Sequence, residues 1–209
     1  MKLDLLTPRE GDTVSRFFVR ALLWFALALA IWYALRGLFT APPGWIAGRV
    51  MQLVFPWATG AEMEAGRLVL LTKLRVFDAA RGMGELAPEV NPLSYCYGAP
   101  LLVALVLAAR AHKPWRKIAI GIVALLPFQV WGICFAWMVQ LLGSPSLQTQ
   151  TSLGPWALNA IAAGYQLGFL ILPTLAPVAL WLAMDRDLVR RFMAEDALSG
   201  TLQSRRRGR

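Results

Sequence analysis

The sequence has one histidine, His112, and two cysteines, Cys96 and Cys134, among 209 residues. A structural metal centre needs several such ligands at short spacing, and no stretch here supplies them. No metal or other cofactor is expected. Acids are scarce too: 12 Asp and Glu stand against 21 Lys and Arg. From Ile118 to Met184 there is no Asp, Glu, Lys or Arg at all. That gap excludes an ordinary soluble domain, whose composition runs to about 25% charged residues. It also leaves the last two apolar blocks without a base or a cation for polar catalysis.

What is present is apolar. Hydrophobic residues make up 57% of the chain and fall in long blocks. A spanning helix takes about 20 mostly apolar residues at about 1.5 Å each. Four blocks are read as spans, over residues 17–35, 92–109, 118–142 and 155–184. The expected fold class is an all-α membrane protein, a four-helix transmembrane bundle forming a single membrane domain. The second block meets the length only when its polar start is counted as interface. The loop Arg110-Ala111-His112-Lys113-Pro114-Trp115-Arg116-Lys117 joins the second and third blocks with four basic residues and no acid. Short loops of that kind stay in the cytoplasm. Both termini are then cytoplasmic and Cys96 lies near the outer face. Cys134 falls mid-membrane, so no disulfide joins the two. The net charge of +9 follows from basic residues crowding at helix ends and gives no reason to expect nucleic acid. Lipid is the partner this composition implies.

Taken in order, residues 1–16 are polar and the first apolar run starts too late for a cleaved signal, so the first helix is read as retained. Pro42-Pro43-Gly44-Trp45 is expected to break it. Ile46, Val50, Leu53, Val54 and Trp57 have helical spacing with one wet face, which predicts a short interfacial helix ended by Pro56. The extracytoplasmic insert spans residues 40–91. Within it, Glu62-Met63-Glu64, a turn at Ala65-Gly66 and the run Arg67 to Val76 predict a small β-hairpin. The alternative is one amphipathic helix through Lys73. Residues 78–89, with Gly82, Gly84 and Pro88, read as loop, as does the uncharged connector of residues 143–154. Pro173 and Pro177 predict a kink in the last span. Residues 185–209 form a basic cytoplasmic tail.

Few residues are placed to do chemistry. Cys96, at the mouth of the bundle, is the one candidate nucleophile, but a reactive thiol needs a base or cation beside it. His112 lies on the opposite side, about 30 Å away across a bilayer. The bland alternative is a buried structural cysteine. The intramembrane polar residues Gln129, Gln140, Asn159 and Gln166, with Tyr165, are read as hydrogen-bonding glue between helices, or more sharply as a substrate groove. Trp45, Trp57, Tyr95, Tyr97, Trp115 and Trp156 fit an interfacial aromatic belt. Arg67, Thr72, Lys73 and Arg75, on the predicted hairpin, are the candidate partner contacts.

Tyr95-Cys96-Tyr97-Gly98, the basic loop with Trp115-Arg116, and the following run through Leu126-Pro127 resemble the core of the exosortase/archaeosortase family over roughly residues 92–140. That family comprises bacterial and archaeal membrane transpeptidases that cut C-terminal sorting tails. The resemblance implies a catalytic Cys, an Arg in the following span and a later His. Cys96 matches the first, and neither of the others has a counterpart. With four spans and an outer β insert, the chain looks more like the exosortase H-associated membrane protein family. That resemblance implies a non-catalytic accessory protein of a sorting system in the bacterial inner membrane, with an exosortase or its cargo as partner. The alternatives left open are a cysteine-dependent transpeptidase or protease using Cys96, and a structural subunit of another envelope complex.

Overall fold

The structure is a computed structural model that describes residues 11–78, 82–110, 113–143 and 145–185. The basic tail expected after Asp185 lies outside the described residues. Helix α1 (Gly11–Ala34) is the first apolar block, and its lipid-compatible part, Phe17–Ala34, is long enough to cross a membrane. The chain bends at Leu35 and starts α2 (Arg36–Val54) at once. The expected break at Pro42-Pro43 does not occur there: both prolines sit inside α2. They cost the helix two N–H donors. Packing overrides that loss, because Thr40, Pro43, Gly44, Ala47, Gly48 and Met51 form one buried stripe along the helix. The helix ends just before Pro56, as its sequence predicts.

The hairpin follows. Strand β1 (Ala58–Glu64) pairs antiparallel with β2 (Arg67–Thr72), closed by Glu64↔Arg67. Ala65 and Gly66 both have positive φ, 46° and 81°. That is the two-residue turn whose twist suits a hairpin. The single-helix alternative is thus set aside. The strand does not run on to Val76 but breaks at Lys73-Leu74, where Leu74 is buried with Leu141 and Leu147. Two more strands pair beyond it: β3 (Arg75–Asp78) with β4 (Gly82–Glu85). Then β5 (Glu89–Val90) adds to the far side of β2, giving the order β1-β2-β5. The expectation of plain loop over 78–89 is corrected by these pairings. No periodic pattern marks them: β4 is a short, glycine-bearing return along β3, and β5 takes its partner, β2, from farther back in the chain.

Helices α3 (Leu93–Cys96) and α4 (Gly98–Ala108) form the second apolar block. Together they are shorter than the other spans. No residue of α4 is exposed, so it is the central helix, wrapped by the others. Helix α5 (Pro114–Val139) and a 3₁₀ turn at Gln140–Gly143 make the third block, Pro114–Gly143. The uncharged connector, expected as loop, contains helix α6 (Pro145–Thr151). Pro145 suits its first turn, and Leu147 anchors it in the cluster with Leu74. The last block is α7 (Pro155–Gln166), a π-helical turn at Leu167–Ile171, and α8 (Leu172–Met184). The irregularity predicted from the prolines takes this form. Pro173 has no N–H for the preceding turn and its ring crowds the carbonyl four residues back, which widening to a π turn relieves. Among the described residues, three helices are long and apolar enough to cross a membrane: Phe17–Ala34, Pro114–Gly143 and Pro155–Met184. Leu93–Ala108 is a shorter apolar helix.

Two cores result. One joins α2, the three-stranded sheet and the late turns of α5, around Leu68, Leu70, Ile133 and Trp137. The other lies inside the bundle, around Trp32, Cys96, Leu102, Leu125 and Trp181. The sheet therefore sits at one end of the bundle, fixed to it by a continuous apolar contact.

Candidate functional site

The sheet end carries most of the residues singled out in the sequence. Four side chains from the helices reach into the strands. Trp137, fully buried near the end of α5, donates its indole N–H to Leu68 O at 3.2 Å. Gln140, in the next turn, meets the peptide of Glu89 twice: Glu89 N–H donates to Oε1 at 3.3 Å, and Nε2 donates to Glu89 O at 3.1 Å. Gln150, on α6, does the same for Arg75, accepting its N–H at 2.9 Å and donating to its carbonyl at 2.8 Å. A carboxamide carries a donor and an acceptor side by side, so each glutamine substitutes for one residue of a neighbouring strand. The outer edges of β5 and β3 are closed this way, and an open edge is what an added strand would need. On β1, Gln52 of α2 donates to Thr59 O.

The four candidate contact residues are split. Arg67 is exposed and faces Glu89 at 3.6 Å, with side chains 62% and 51% exposed. A pair so open to water contributes little. Lys73 is exposed just past the other end of β2, about 20 Å from Arg67 along the strand direction, and Arg75 is exposed at the start of β3. Thr72 is buried. Its hydroxyl donates to Leu86 O at 2.5 Å and accepts from Leu74 N–H at 3.3 Å. It holds the end of β2 to the segment just after β4 and does not face outward. Arg75 stands opposite Glu85 and Phe77 opposite Met83 across the β3–β4 pair, and Phe77 and Met83 are exposed. The surface of the platform is mixed in charge with one apolar pair.

The intramembrane polar residues also diverge. Gln129 is buried and lines a cavity about the size of one water, with Tyr95, Gly98, Phe128 and Pro173 around it. Gln140 belongs to the sheet end as described. Asn159 and Gln166 are both exposed on the outside of the last span. Cys96 has no exposed surface and sits among Trp32, Ala99 and Leu102. Cys134, in the other core, points its thiol at Ala47 O at 3.8 Å. Both are free thiols. Of the expected aromatic belt, Trp45, Trp115 and Trp156 are exposed, whereas Tyr95 is buried against Gly132. Among the described residues, no group of three or more His, Cys, Asp or Glu side chains converges.

The family model described as exosortase H-associated membrane protein matches residues 11–188. The chain belongs to the exosortase H-associated membrane protein family. The match takes in every element of the bundle and the whole sheet end, so both are parts of the family's common body. No curated protein and no solved structure matches. Sequence reasoning missed Trp137 and Gln150 as members of this family's sheet end. Trp137 looked like any apolar residue of a span. Gln148-Thr149-Gln150-Thr151 looked like solvated loop, and its only signal was a run of amides beside an insert rich in short strands.

Proposed function

We propose that this chain is a non-catalytic accessory protein of an exosortase-type sorting system in the bacterial inner membrane. Its sheet end faces outward and meets the exosortase, or the cargo protein that the exosortase processes. The observation that carries the reading is the family match over nearly the whole described chain, together with a β platform held rigidly on the bundle. A small sheet alone is marginally stable in water. Here four helix-borne side chains fasten the strands, which suits a surface that has to keep its shape to be recognised.

In this reading the chain crosses the membrane four times as one domain, with both termini and the loop Arg110–Lys117 in the cytoplasm. The buried central helix α4 is the fourth crossing. It is short for lipid, but the other helices surround it and it needs no match to the bilayer thickness. Arg67, Lys73 and Arg75 form the outward contact surface, and Thr72 acts behind them by holding the sheet. Cys96 is structural: its thiol is fully buried among apolar side chains of the bundle core.

The test is photo-crosslinking in native membranes that contain the exosortase. A photoreactive amino acid is placed singly at Arg67, Lys73 and Arg75. Adducts with the exosortase or its cargo are expected from at least one position and none from Trp115 at the opposite end. Adducts only from Trp115, or from none of the four, would overturn the placement of the contact.

A further inference from the structure

Asn159 and Gln166 lie seven residues apart on the last span, so they share one helix face about 10 Å apart along the axis. Both are exposed, and Ala163 between them is exposed as well. Neither carboxamide has a hydrogen-bond partner among the described residues. Thr174 makes a useful contrast. Its hydroxyl is also exposed, but it bonds back to Ile171 O at 3.1 Å within its own helix. A glutamine near the middle of a 30-residue apolar span faces hydrocarbon, which offers no donor or acceptor. Two amides flanking a small residue make the kind of face that associates with another helix in a membrane.

We propose that this face, Asn159–Ala163–Gln166, is the seam of a homodimer formed by a second copy of the same chain. The chemistry selects that occupant. A carboxamide is its own complement, with donor and acceptor on one group. A two-fold axis along the membrane normal brings Asn159 to Asn159 and Gln166 to Gln166 at equal depths. Ala163 lets the two backbones approach between them. The seam lies on the side of the molecule formed by the last span, apart from the contact surface on the sheet, so it does not depend on the identity of the sorting enzyme.

The experiment is oxidative crosslinking of Ala163→Cys in native membranes. Cys96 and Cys134 are buried and stay silent, and the unsubstituted chain is the control. A disulfide-linked species of twice the chain mass is expected from Ala163→Cys and not from Leu182→Cys, another exposed site on the same helical run. Adding Asn159→Leu and Gln166→Leu to Ala163→Cys should lower the yield about tenfold. Leucine at two exposed positions makes the span more apolar and leaves the fold of the single copy intact, so protein level stays unchanged. No dimer from Ala163→Cys, a dimer indifferent to the leucines, or a crosslink from Ala163→Cys to a different membrane protein would each overturn the proposal.

Discussion

Gln140 and Cys96 show how differently two polar residues in apolar surroundings can behave. Gln140 donates to Ala136 O at 2.9 Å as well as meeting both polar groups of the Glu89 peptide. Replacing it by leucine removes these bonds and leaves the strand edge to water. Each such exposed bond contributes about 0.5–1.5 kcal/mol net. Gln140→Leu should therefore speed amide exchange over residues 86–90 by about tenfold or more, while exchange in α5 is unchanged. Uniform acceleration through α5 would mean that Gln140 serves the helix and not the sheet. Cys96 makes the opposite case. With no exposed surface, it should resist maleimide in native membranes until the protein is denatured, and Cys96→Ala should leave sorting of the cargo intact. Fast labelling, or normal protein level with complete loss of sorting, would return Cys96 to the role of nucleophile.

Among the elements, the apolar blocks and the tight turn were legible, and the pairings of β4 and β5 were not. Length and hydropathy suffice for a span, and Ala65-Gly66 between short β-prone runs suffices for a hairpin, because both signals are local. Strands β4 and β5 carry no local signal. They exist because β3 and β2 offer them partners. Pro42 and Pro43 gave the wrong signal for a related reason: the buried stripe of α2 outweighs two missing donors. One close helix crossing was equally hidden, as its key residues are glycines. A Cβ built on Gly168 would come 2.8 Å from Gly132 Cα, and one on Gly132 would come 2.4 Å from the Tyr95 ring. Here glycine is required for backbone approach. Gly132→Leu should force α5 away from the π turn and from Tyr95. Overpacking of this kind costs about 1–3 kcal/mol and more when backbone must move. The expected result is a clear drop in thermal midpoint in detergent, whereas Gly143→Ala, with nothing within 4 Å, should leave it within about 1 °C. An unchanged midpoint for Gly132→Leu would show that the crossing is looser than drawn.

For the whole molecule, two contacts bear on how often the chain crosses. Phe17, at the start of the first span, stacks on Trp181 near the end of the last, with ring centroids 5.6 Å apart. Lys117, at the start of α5, pairs with Asp185 just after α8, with Nζ 3.3 Å from Oδ2. The side chains of that pair are 24% and 14% exposed, so it is sheltered and ties the two segments more firmly than a surface pair would. The beginning of α1, the beginning of α5 and the end of α8 thus share one end of the bundle, and the sheet occupies the other. On the four-span reading, the chain returns to its starting end after an even number of crossings. Two helices then lie between Phe17 and Lys117 in this count, α1 and the short α4, even though α4 alone falls below the usual spanning length. Reporter fusions test this directly. Fusions at Lys113 and Gly200 should behave alike and report cytoplasm, in keeping with the four basic residues of the loop. Fusions at Gly82 and Gln148 should report the opposite side. A Lys113 fusion that behaves like the Gly82 fusion would sink the four-span arrangement.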